Sequence, residues 1–144
     1  MKLVSFLNLR NEERVGLYVN EQIVDLAFGA REICCALPDT MNEFLNDATE
    51  SLKIARQIEN AFLEGKVEPV SDPMDIKMLA PVPHPPSCRD AYAFRQHVAT
   101  ARRNRGVPMI PEFDQFPIFY FTNHNAIIGD GKLEVEADHL QRLD

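Results

Sequence analysis

Asp90-Ala91-Tyr92-Ala93-Phe94-Arg95-Gln96-His97, reached through Ala80-Pro81-Val82-Pro83-His84-Pro85-Pro86, is the stretch on which the reading of this chain turns. Four prolines in six residues forbid a continuous helix or a central strand and hold the backbone extended, so a new element begins after them. If that element is a helix opening at Asp90, His97 lies two turns on. Both side chains then project from one face about 10 Å apart along the axis. That gap is too long for one ion to bridge, but it suits a metal ligand and a general base with a substrate between them.

Working outward, the segments Lys2 to Leu7, Arg14 to Val19 and Gln22 to Leu26 read as short strands, with Asn20-Glu21 as the turn between the last two. Thr40-Met41-Asn42-Glu43 has the form of a capping box. Leu52, Ala55, Ile58, Ala61 and Phe62 make an apolar helical stripe ending at Gly65. Prolines, acidic residues and a serine from Val67 to Pro73 mark a linker, and a strand follows through Ile76 to Pro81. Beyond the basic stretch, Phe116 to Phe121 reads as a buried aromatic strand. Ala126-Ile127-Ile128-Gly129 and Lys132-Leu133-Glu134-Val135 read as a hairpin across Asp130-Gly131. The pattern predicts an α+β fold: a small strand-and-helix domain over 1–72 and a second unit over 73–144. There is no internal repeat and no low-complexity tract.

With 144 residues, 45% of them apolar, the chain is long enough to bury a core. A net charge of −7 and a pI near 5.1 argue against nucleic acid as the partner. The N-terminus lacks a secretory cleavage pattern and no segment approaches membrane-spanning length, so a cytoplasmic protein without membrane contact is expected. Cys34, Cys35 and Cys88 match neither a zinc spacing nor an even disulfide framework, and the first two read as core residues.

Several motifs in order resemble the fumarylacetoacetate hydrolase family. They are Met78-Leu79-Ala80-Pro81-Val82-Pro83, the Asp90 to His97 core, Thr100-Ala101-Arg102-Arg103-Asn104-Arg105-Gly106, Pro117-Ile118-Phe119-Tyr120-Phe121-Thr122-Asn123 and Ala126-Ile127-Ile128-Gly129. They cover roughly the second half of the chain; the first half matches in general character only. The resemblance implies that the second unit begins a mixed β-roll and that the family reaction is cleavage of a carbon–carbon bond in a β-diketo acid such as an acylpyruvate or fumarylacetoacetate. Relatives decarboxylate or isomerise related keto acids. It further implies Asp90 as a ligand of a divalent cation (Mg2+, Ca2+ or Mn2+), His97 as the base that activates water, Tyr92 and Tyr120 as substrate contacts, and a homodimer as the assembly.

Without the resemblance these residues read more plainly. Asp90 is a helix N-cap, His97 a core or solvent-facing histidine, and the tyrosines core aromatics with locally satisfied hydroxyls. Arg95, Arg102, Arg103 and Arg105 are in large part a solvated helix face, although one can pair with a substrate carboxylate. His84, His124 and His139 fall in no motif, and Gly129-Asp130-Gly131 is a turn and not a phosphate loop. The family's remaining metal ligands, a Glu-x-Glu pair and another aspartate, lie downstream of the matched region. Leu143-Asp144 resembles the start of the segment leading to that pair, and Glu134 and Glu136 come too early to be it. One carboxylate supplies at most two of the six or more oxygens that magnesium or calcium takes. The chain is therefore expected to carry half an active site and to be inactive alone, with unpaired strand edges that favour association. The other expectation is a non-catalytic interaction module.

Overall fold

The computed structural model describes residues 1–70 and 76–135 and shows an α+β protein. Contacts divide it into two units, one of Met1–Pro83 with the residues from Ile127 onward, the other of His84–Ala126. The 71–73 part of the expected linker, Glu136, His139 and Leu143-Asp144 lie outside the described residues.

In the first unit, strands β1 (Leu3–Leu7), β2 (Glu13–Val19) and β3 (Gln22–Asp25) form the expected antiparallel meander. The β2–β3 turn has Asn20 and Glu21 at φ +50° and +64°, so the two-residue loop adopts the mirror-image turn that fits strand twist, without a glycine. Period-two alternation turns Val15 and Leu17 of β2 into the core. Gly16 between them faces the other side, where a Cβ would stand 2.9 Å from the Phe6 ring and from the Val24 carbonyl oxygen.

Three helices cover the core face. The strand expected to run through Leu26 stops at Asp25, whose carboxylate accepts the Phe28 N–H at 2.9 Å and starts α1 (Leu26–Glu32) at once. Seven residues with a glycine in the middle give little helical periodicity to read. Gly29 stands there because a Cβ would lie 2.8 Å from the Ile58 γ-methyl and 3.3 Å from that of Val67. Helix α2 (Met41–Asn46) is capped by Thr40 as its sequence predicts, and α3 (Ala48–Leu63) buries Ala55, Ile58 and Ala61. Its end has the glycine-terminated geometry: Gly65 at φ +72°, with the Lys66 N–H reaching back to the Ala61 carbonyl. Val15, Leu17, Val24, Leu26, Met41, Phe44 and Ile58 form the centre of this core.

Four expectations for the first unit and its border are corrected. Val67 is no linker residue but part of the core, and the Val70 N–H bonds the Ile23 carbonyl at 2.7 Å on the outer edge of β3. The strand expected from Ile76 is short (β4, Lys77–Met78) and pairs with β1, completing the order β3-β2-β1-β4. Cys34 is exposed at φ +58°, and of the pair only Cys35 packs against the core. Finally, the 126–135 hairpin forms no ladder: the Gly129 backbone lies so close to β4 that a Cβ would meet the Met78 carbonyl oxygen at 2.7 Å.

The second unit holds β5 (Cys88–Ala91), α4 (Arg95–Asn104), a 3-10 turn at Pro111–Asp114 and β6 (Phe119–Thr122). Strands β5 and β6 form a two-stranded antiparallel sheet. The helix expected from Asp90 does not form, because residues 88–91 find a pairing partner thirty residues on, which local spacing cannot reveal. The aromatic strand exists but is exposed, with Phe119 at 45% and Phe121 at 67% of full accessibility. Val98 is the one buried apolar side chain of this unit. No helix among the described residues is long and apolar enough to cross a membrane.

Candidate functional site

The register of β5 on β6 sets Asp90 directly opposite Tyr120, so the two side chains rise on one face of the ladder. The Tyr120 hydroxyl donates a short hydrogen bond to Asp90 Oδ2. Two residues beyond Asp90, Tyr92 continues the pairing through its N–H to the Ile118 carbonyl at 3.2 Å. Asp90, Tyr92 and Tyr120, with Ile118 and Phe119, line a cavity of about 140 Å³. Three of the four residues singled out from the sequence thus meet around one hollow. The geometry differs from that expected: Asp90 is a strand residue, neither a helix N-cap nor two turns below His97.

His97 sits in the first turn of α4, exposed, and is not part of that cavity lining. The helix starts at Phe94 without a side-chain cap. Its first residue, Arg95, would place a cation at the end of the helix that favours anions, and Asp114 compensates. The carboxylate accepts a fork of two bonds, Nε to Oδ1 at 2.8 Å and Nη2 to Oδ2 at 3.1 Å. The hydrogen bonds from Arg95 hold the Asp114 carboxyl below its ordinary value and, reciprocally, raise the guanidinium.

Because the folded value of Asp114 lies below the unfolded one, the pair's contribution is present above the ordinary carboxylate range and is lost as pH falls through the lowered folded value. In Arg95→Gln the Asp114 midpoint, followed by carboxyl NMR, is expected to move upward toward the ordinary value. An unchanged midpoint would remove the fork from the account of this unit.

Three of the remaining arginines make contacts inside the unit. Arg102 Nε donates to the Pro108 carbonyl at 2.5 Å and Arg103 Nη2 to Thr100 Oγ1 at 3.2 Å. Arg89, on the face opposite Asp90, lies over the rings of Phe121 at 5.0 Å and Phe119 at 5.7 Å. Arg105 is exposed at the end of α4. Sequence reasoning missed Asp114 altogether, since its significance comes from a partner nineteen residues earlier.

Oxygen donors of the Asp90 type suit a hard divalent cation in kind. In number they do not fill a coordination sphere: among the described residues no three His, Cys, Asp or Glu side chains gather as a metal-binding group. A separate cleft of about 420 Å³ in the first unit is lined by Arg14, Asp25, Phe28 and Arg31 among others; there Arg14 Nε is bonded to Asp25 at 2.7 Å, and Asp25 also caps α1.

No protein-family model matches the chain, and no curated protein matches it.

Proposed function

We propose that this chain carries the first part of a metal-dependent hydrolase site of the fumarylacetoacetate hydrolase type, acting on a carbon–carbon bond of a β-diketo acid. The observation that carries the reading is the cross-strand meeting of Asp90, Tyr92 and Tyr120 around one hollow, from sequence positions thirty residues apart. In this reading β5 and β6 belong to a mixed β-roll. Asp90 supplies one oxygen ligand to Mg2+, Ca2+ or Mn2+, and Tyr120 orients that carboxylate through its hydrogen bond. Tyr92 offers a hydroxyl to a keto-acid oxygen, and His97 takes a proton from water. A bound divalent cation would stabilise the enolate charge that develops as the bond breaks. Among the described residues no three His, Cys, Asp or Glu side chains gather as a metal-binding group, so in this reading the chain alone binds the cation weakly through Asp90 and is expected to be inactive by itself. A cytoplasmic setting and a small-molecule substrate, with neither nucleic acid nor membrane, complete the reading.

Binding of Mn2+ to the chain, followed by paramagnetic broadening of its amide spectrum, tests this. Broadening centred on Asp90, Tyr92 and Tyr120 is expected, with affinity reduced about tenfold or more in Asp90→Asn. Binding unaffected by that substitution sinks the assignment.

The exposed Phe119 and Phe121 rings favour a second reading, an interaction module in which the β5–β6 sheet pairs with another copy, since a two-stranded sheet alone is marginally stable. Its mark is a dimer in sedimentation that survives Asp90→Ala and His97→Ala and is lost in Phe121→Ser.

A further inference from the structure

The bond from the Tyr92 N–H to the Ile118 carbonyl fixes the parity of the β5–β6 ladder. Counting from it in steps of two, Asp90–Tyr120 and Cys88–Thr122 exchange backbone hydrogen bonds. The backbone groups of Arg89 and Ala91 therefore point outward on one edge, and those of Phe119 and Phe121 on the other. Among the described residues, no backbone group reaches the outward groups of Phe119 or Phe121. The two edges differ in protection. Strand β5 carries Arg89 and Asp90, charges of the kind that keep an edge from pairing, whereas β6, Phe119-Tyr120-Phe121-Thr122, carries neither charge nor proline. The Phe119 and Phe121 rings meet edge to face at 5.6 Å, lie under the Arg89 guanidinium and stay exposed.

We infer that β6 is the edge through which this chain binds a second copy of itself, the two β6 strands running antiparallel across a two-fold axis at Tyr120. The inference rests on the interaction-module reading given under Proposed function and deepens it by naming the strand and its register. A two-fold axis perpendicular to the sheet keeps every side chain on its own face, so opposed residues must have equal parity. With the axis at Tyr120, Phe119 stands opposite Phe121 of the second copy. These are the residues whose backbone groups face outward, so four hydrogen bonds close the seam. Moving the axis to Phe119 opposes Phe121 to Pro117, which has no N–H, and moving it to Phe121 opposes Phe119 to Asn123, beyond the strand. The chosen register also carries the aromatic face from one copy into the next. Charge permits the contact: β6 is neutral, and each Asp90 stands about 14 Å from its counterpart, beyond the screening length at physiological salt. The exposed parts of Phe119, Tyr120 and Phe121 amount to about 700 Å² over two copies, less than the roughly 1,200 Å² at which stable complexes begin. The dimer is therefore weak and dissociates on dilution.

Sedimentation of the full chain from micromolar to near-millimolar concentration is expected to show monomer giving way to dimer. Phe121→Lys, which puts a cation on the seam in each copy, is expected to weaken the dimer at least about tenfold. Ala91→Lys, on the opposite edge, is expected to leave it unchanged. Both positions are exposed, so neither change threatens the fold. Tyr120→Cys tests the register, because directly opposed residues without mutual backbone bonds have Cα atoms about 4.5 Å apart, within reach of a disulfide. Oxidation of that variant is expected to give covalent dimer above the background of the wild-type chain with Cys34, Cys35 and Cys88, and oxidation of Asn123→Cys is expected to give none above it. A dimer lost in Phe121→Lys that cross-links no better through Tyr120→Cys than through Asn123→Cys, or one lost in Ala91→Lys as well, overturns the β6 seam and leaves the interaction-module reading standing. A dimer that persists in Phe121→Lys, or a chain monomeric at every concentration, overturns both.

Discussion

Asp25→Ala is expected to lower the stability of the first unit by about 2–4 kcal/mol, because it removes a charge-assisted fork from Arg14, leaving that guanidinium with Asp39 alone, and takes away the cap of α1. Arg14 and Asp25 keep only 14% and 8% of their side-chain accessibility, and the contact is a fork, Nε to Oδ2 at 2.7 Å and Nη2 to Oδ1 at 3.0 Å. Asp25 has a second task as the N-cap of α1, accepting the Phe28 N–H, whose loss alone costs about 1 kcal/mol. Arg14 also bonds Asp39, which remains half exposed. Asp39→Ala should therefore cost no more than about 1 kcal/mol, the scale of an exposed pair. Urea unfolding with an unchanged slope measures both. Equal losses for the two variants would show that burial does not govern the Arg14 network.

Phe44→Ala should cost about 3–5 kcal/mol, the usual range for removing a fully enclosed ring and leaving a cavity. Phe44 has no accessible surface and joins α2 to the core formed by β2 and α3. For a domain whose whole stability is of order 5–15 kcal/mol, that is a large share. Phe121→Ala, on the exposed ladder of the second unit, should stay within about 0.5 kcal/mol when the chain is dilute, as a surface substitution does. A loss for Phe121→Ala that approaches that of Phe44→Ala would mean that the aromatic face is covered in solution, and would favour the interaction-module reading. The two variants thus report on the two units separately: a buried core in the first and an exposed aromatic ladder in the second.

Most of the first unit can be read from short-range pattern. The β meander alternates, Thr40 and Glu43 cap α2, and the α3 stripe ends at a glycine. Each of these signals acts within four or five residues, so the chain need not fold for them to be seen. The exceptions share a cause. Helix α1 begins because one aspartate caps it, and it tolerates Gly29 because α3 leaves no room for a Cβ. Val67 stands among linker-like residues yet fills the core, and the Gly129 backbone lies close against β4 where local spacing predicts a hairpin strand.

The candidate site divides along the same line. Composition and motif by themselves determined that this is an α+β chain and that Asp90, Tyr92, His97 and Tyr120 are the residues worth testing. Whether those residues meet was decided by the folded chain: strand pairing across thirty residues put Asp90 against Tyr120 and drew in Tyr92, while His97 stayed on α4 outside the hollow. Local periodicity records what a residue does for its own helix or strand. The partner of a strand is chosen by backbone hydrogen bonds and cross-strand contacts between distant segments, and neither leaves a mark on local spacing.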